Sequence, residues 1–163
     1  MTATDRSVVL RWVRDAAELR QAQELRVRVF CDEQGVPRAL EVDGQDDVAR
    51  HAVAVTPDGR VVGTIRLVAR GTTVKVGRLA VDREWRGRGI ASRLLDRAVE
   101  YAQDQRAEEL RLAAQVHAQG LYERAGYRAA SEPFDEPGTD IPHVWMVREV
   151  VPRRPRRRGP AAG

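Results

Sequence analysis

The stretch Arg86-Gly87-Arg88-Gly89-Ile90-Ala91 stands at the junction of two patterns. Before it, Val76, Leu79 and Val81 are strand-forming residues. After it, Leu94, Leu95, Ala98, Val99 and Ala102 recur at helical spacing. A glycine-rich loop that opens into a helix aims several backbone N–H groups at one point, at the positive end of the helix dipole. A phosphate or pyrophosphate suits that point, and the flanking arginines add charge. The same residues would also serve as a plain helix start with solvated arginines. Short glycine motifs recur by chance, so neighbouring segments must decide.

Two phosphate motifs fit poorly. A P-loop ends in Gly-Lys-Ser/Thr, which this loop lacks. A dinucleotide fingerprint has its Gly87-x-Gly89, but Ser92 replaces the third Gly or Ala. Its acidic partner is also misplaced, because Glu108 and Glu109 precede the next predicted strand, residues 110–114. A third pattern, Arg/Gln-x-x-Gly-x-Gly/Ala, is filled by Arg86, Gly89 and Ala91. Downstream, Leu110 to Gln115, Ala118 and Leu121-Tyr122-Glu123-Arg124-Ala125-Gly126-Tyr127 give a strand, a tyrosine-bearing helix and a Gly-Tyr ending. Upstream stand Arg26-Val27-Arg28-Val29-Phe30, Glu33-Gln34, Pro37, Glu41, Asp43, Asp46 or Asp47, and His51. Near the end come Ile141-Pro142-His143 and Met146. Together, over about residues 10–150, these resemble the GNAT superfamily of acyl-CoA N-acyltransferases, in its small single-domain ElaA-like or YjcF-like branch.

The resemblance implies acetyl-CoA as co-substrate, no metal, and acetyl transfer from the thioester to an amine by direct attack in a ternary complex. Its pyrophosphate would lie on the amides of Arg86, Gly87, Arg88, Gly89, Ile90, Ala91 and Ser92. Leu79, Ala80 and Val81 would line the pantetheine arm. The strand is expected to bulge there, with an amide near Leu79 serving the oxyanion. Gln115 would meet pantetheine, although many members carry Asn at that place. Tyr122 matches the proton donor to the leaving thiolate, since a phenol with pKa ~10 stays protonated at neutral pH. For a base, Glu33, Glu41, Asp43, Asp46, Asp47, His51, His117 and His143 compete. Glu41 and His143 are singled out as substrate-side groups. Arg26 shares a helical arc with Leu19, Ala22, Val29 and Phe30, so some acids are expected to pair with arginines inside the fold. The alternative is a non-catalytic acyl-CoA-binding or partner-docking module.

The elements that must position these groups follow the order β-α-β-β-β-α-β-α-β. Residues 8–13 alternate as a strand. Asp15 with Glu18 starts a helix running to about Phe30, where Gly35 and Pro37 break it. A mostly polar stretch continues to Arg50. Residues 51–55 and 61–68 form a hairpin across Thr56-Pro57-Asp58-Gly59-Arg60. Residues 74–81 precede the loop, and a last strand covers residues 144–150. This order predicts an α/β fold. With the resemblance it becomes a GNAT fold: a mixed, mostly antiparallel sheet with a splayed parallel pair, flanked by helices, and the cofactor in the splay.

At 163 residues with 42% hydrophobic content, the chain suits one domain, 1–151, and an Arg/Pro-rich tail, 152–163. The tail has little apolar surface to bury and is expected to be disordered. Without its five arginines, 23 basic residues face 24 acidic ones. No aromatic residue interleaves those arginines, so any nucleic-acid contact is expected to be weak. No run reaches the roughly 18 apolar residues of a membrane span, and residues 1–7 have no apolar signal region. With a single cysteine, Cys31, a reducing cytoplasm is expected. Lys75 is the only lysine, which reads as the coding bias of a GC-rich bacterium. The three histidines have no metal-ligand spacing. A small-molecule or protein amine is the expected partner, no membrane is, and homodimerisation is left open.

Overall fold

The computed structural model describes residues 7–153. Strand β1 (Val9–Trp12) leads into helix α1 (Ala16–Arg26), capped where Asp15 accepts from the Glu18 amide at 2.8 Å. Glu18 also accepts from Arg11 Nη2 at 2.6 Å, which fastens the helix start to β1. The helix does not end near Phe30. It continues as a π-helix over Val27–Glu33 and turns off at Gly35, whose φ is +74°. Within the polar stretch, Arg38–Glu41 forms a short helix α2 and Asp46–Val48 a 3₁₀ turn.

The sheet is built on β2 (Arg50–Val55), β3 (Val61–Arg70), β4 (Thr73–Val81), β5 (Glu109–Gln115) and β8 (Pro142–Glu149). Along β2, Ala52 and Ala54 join the core under helix α3 (Ile90–Asp104), while Val53 and Val55 join Ala22, Leu25 and Val29 of the first helix. Both faces of the strand are therefore buried, which explains its unbroken apolar run. The α3 stripe of Ile90, Leu94, Leu95, Ala98 and Ala102 is fully buried, each Leu or Ile contributing about 1.5–3 kcal/mol. Gly63 of β3 lets α3 approach closely: an added Cβ would lie 2.8 Å from Ile90 Cγ2 and 3.2 Å from Leu94 Cδ1.

Strands pair in the order β1-β2-β3-β4-β5-β8, with the short β6 (Arg128–Ala129) outside β8, antiparallel except for β4 and β5. That parallel pair holds for Thr73–Glu109, Val74–Leu110 and Lys75–Arg111 and then ends, so the two strands part. The expected splay is present. Two strands absent from the sequence reading, β6 (Arg128–Ala129) and β7 (Phe134–Asp135), pair with β8; each has two residues, too few for a period to show. Helix α4 (Gln119–Arg124) links β5 to this edge. At the end of the described chain, Arg153 reaches Asp104 at 2.7 Å. Residues 154–163, most of the expected tail, lie outside the described residues. No described helix is long and apolar enough to cross a membrane.

Candidate functional site

The parting of β4 and β5 opens a cleft of about 900 Å³. At one end sits the glycine loop. Gly87 and Gly89 both have φ +77°, where a Cβ is costly, and Gly89 is the N-cap of α3. No side chain caps that helix, which leaves its first-turn amides for a ligand. Arg86 donates from Nε to the Val81 carbonyl at 3.0 Å and pairs with Glu33 at 2.7 Å. Arg88 lies 4.5 Å over the Trp85 ring. Gly87, Gly89, Ile90, Ala91 and Ser92 line the cleft with Arg86.

Along its wall, β4 carries the expected bulge. Register with β3 shifts between Thr64–Ala80 and Arg66–Gly77, leaving one extra residue in β4. Arg78 takes up the extra residue with φ +53°, a left-handed conformation rare outside glycine. It is held there because its Nη2 donates to the carbonyls of Leu40 and Glu41, each at 3.1 Å. Leu79, Ala80 and Val81 follow on the cleft wall, past the last β5 pairing. Across the gap, Gln115 Nε2 donates to Gln34 Oε1 at 2.7 Å. The π-helical end of the first helix thus presents Glu33 and Gln34 to opposite walls.

Glu41 is 3% exposed and lies between Arg26 and Arg78, at 2.5 and 3.5 Å. Arg26 also meets Asp46 at 3.0 Å, and Arg66 meets Asp46 at 3.2 Å. Arg66 grips Asp43 with two nitrogens, at 2.8 and 2.7 Å. Three carboxylates and three guanidinia therefore interlock, as the buried arc of Arg26 required. Burial opposes ionisation of Asp43, but Arg66, the Gln45 amide and Arg78 hold it well below the usual carboxylate range. Asp46 is lowered in the same way, against burial, by Gln23, Arg26 and Arg66. His51 stands beside this cluster with Nε2 3.0 Å from the Asp46 carbonyl, and burial pushes its pKa down. Sequence reasoning passed over Arg66 and Arg78; an arginine within an apolar strand is the signal that marks Arg66.

Tyr122 lines the cleft from α4 and meets Tyr127 edge-to-face, ring centroids 6.0 Å apart. Burial pushes its phenol up to about 12, so at neutral pH it is a proton donor. His143 lines the cleft from β8, directly across from Gln115. Burial raises the Cys31 thiol, the reverse of an activated nucleophile. Among the described residues, no cluster of His, Cys, Asp or Glu is placed to hold a metal ion. The arrangement can seat a long anionic ligand with its phosphates at the α3 terminus and its far end near a protonated phenol.

Comparison with known proteins bears on the family and the fold. Residues 17–150 match the family described as the acetyltransferase (GNAT) domain. A UPF0039 protein of Mycobacterium tuberculosis is 39% identical over 140 residues, covering 82% of this chain and 86% of its own. The crystal structure of Escherichia coli ElaA superposes with a TM-score of 0.75 at 26% identity, over 86% of this chain and 100% of that one. An acyl-CoA N-acyltransferase from Pseudomonas aeruginosa superposes with a TM-score of 0.74 at 30% identity, over 86% of this chain and 98% of its own.

Proposed function

This chain belongs to the GNAT acetyltransferase family, and on that premise we propose that it transfers an acetyl group from acetyl-CoA to an amine by direct attack in a ternary complex. The observation that carries the reading is one cleft holding an uncapped helix terminus, a bulged strand that has parted from β5, and a half-buried phenol. The acyl-CoA named for the Pseudomonas relative supports the choice of co-substrate. The pyrophosphate takes the amides of residues 86–92, with Arg86 exchanging Glu33 for phosphate oxygens. Pantetheine runs along Leu79 to Val81, and a strand amide near Leu79 serves the oxyanion. Tyr122 donates to the departing thiolate. Glu41 is engaged by two guanidinia, which suits it to hold Arg78 and the bulge in place rather than to meet the amine.

Saturating CoA stabilises the fold by about 2.7 kcal/mol at one hundred times Kd, which raises the melting temperature. Gly89→Asp abolishes the rise, because it sets a carboxylate against the phosphates in a strained conformation. Thiol release from acetyl-CoA across a panel of amines completes the test. No shift, no heat of binding and no thiol release would refute the reading.

A further inference from the structure

We propose that His143 takes the proton from the acceptor amine, and that Glu136 holds that amine as its ammonium beside the imidazole. The inference rests on the acetyl-transfer reading and adds the group that makes the nucleophile.

His143 Nδ1 lies 2.7 Å from the Ile141 carbonyl. A carbonyl oxygen only accepts, so Nδ1 carries a proton in this contact, and the lone pair of the neutral ring is on Nε2. A Glu136 carboxylate oxygen lies 3.3 Å from Nε2; a neutral ring has no hydrogen to offer it, so that carboxylate is free to engage a bound ammonium, and the contact becomes an ion pair once Nε2 takes the proton. The ring is fixed from a third side by Phe134, its cross-strand partner on β7, which stacks on it at 6.2 Å. Its side chain is 10% exposed, while that of Glu136 is 43% exposed. Both residues line the cleft that also holds Tyr122 and the bulged edge of β4. Oriented tautomer, aimed lone pair and an outer carboxylate form a base with its orienting groups. Asp135 and Asp140 lie nearby in the chain, Glu109 and Arg111 on the paired strand β5, and His117, Tyr122 and Arg124 on the cleft wall; Glu136 supplies the carboxylate in contact with the ring.

The step balances. An ammonium R–NH₃⁺ at Glu136 gives one proton to His143 Nε2 and becomes a neutral amine. The imidazolium is stabilised by the Glu136 carboxylate. The amine attacks the thioester carbonyl, a C–N bond forms, and the C–S bond breaks. The second nitrogen proton is lost as the thiolate gains one from Tyr122, which restores the phenol through water. His143 returns its proton to solvent at exposed Glu136. The products are amide, thiol and one proton.

The test compares wild type with His143→Asn, which keeps an N–H for the Ile141 carbonyl and loses the Nε2 lone pair. CoA affinity is read by calorimetry, folding by melting temperature, and turnover by thiol release from acetyl-CoA with phenethylamine, spermidine and a peptide N-terminus as acceptors. At pH 7, His143→Asn should lose about 10²-fold in kcat with CoA Kd within about twofold. The deficit should shrink as pH passes the pKa of the acceptor, because the free amine no longer needs a base. Glu136→Gln should raise the KM for amine about tenfold and change kcat less. Unchanged kcat at pH 7, or a deficit that stays constant at every pH, would overturn the proposal while leaving acetyl transfer intact. Wild type that neither binds CoA nor releases thiol would overturn the acetyl-transfer reading, and this proposal with it.

Discussion

Tyr122 shows how much one side chain's surroundings decide. In water a phenol titrates near pH 10, and burial here moves it to about 12. It therefore stays a donor throughout the range in which amines are acylated, and its own titration should leave no limb in a pH–rate profile below about 10. Tyr122→Phe removes the hydroxyl and keeps the edge-to-face contact with Tyr127. It should lower kcat about 10²-fold with CoA affinity within about twofold, measured by thiol release and calorimetry. An unchanged kcat would make the ring a packing residue and water the proton source. The phenol and the loop glycines were legible because their types carry the chemistry. Glu33 with Arg86 and Gln34 with Gln115 were not, because they join residues 53 and 81 positions apart, and only the fold brings them together.

Elements were readable in proportion to their length. Helix α3, 15 residues long, showed its buried stripe, and residues 61–68 of the 10-residue β3 were read as a strand. The π-helical turn at Val27–Glu33 keeps the composition of an ordinary helix, so no local pattern separates it. The left-handed Arg78 was equally hidden, because carbonyls from another element hold it. Gly63 belongs to the same class, a glycine inside a strand that no turn explains. It marks the contact between sheet and α3, and α3 begins at Ile90, directly after the phosphate loop. Gly63→Ala must push aside the branched methyl of a buried Ile90. It should destabilise the protein by about 1–3 kcal/mol in urea unfolding and weaken CoA binding by displacing the helix terminus. Stability within about 0.5 kcal/mol of wild type would mean that α3 shifts freely and that the loop is not positioned by this contact.

At the scale of the molecule, the nearly balanced charge of the body is gathered into a few interlocked sites. Their pKa shifts fix how the fold responds to acid. His51 is pushed down by burial, so in the folded state it remains neutral below the ~6.5 at which an unfolded histidine takes up a proton. The unfolded chain then binds more protons, and stability falls as pH drops below about 6.5 until the folded imidazole also protonates. Asp43, Asp46 and Glu18 are lowered by their arginines, so their contribution is complete above about pH 4 and is lost as pH falls through their depressed values. The melting temperature should accordingly descend twice on acidification, first by a few degrees below about pH 6.5 and again, more steeply, below about 4. His51→Gln, which keeps a donor for the Asp46 carbonyl and cannot titrate, should erase the first descent and leave the second. Asp46→Asn should lower the melting temperature at pH 7, because Arg26 and Arg66 lose a charged partner, and should soften the second descent. A wild-type profile flat from pH 7 to 5, or a first descent that survives in His51→Gln, would show that His51 is not neutral in the folded protein and that the acid response begins elsewhere.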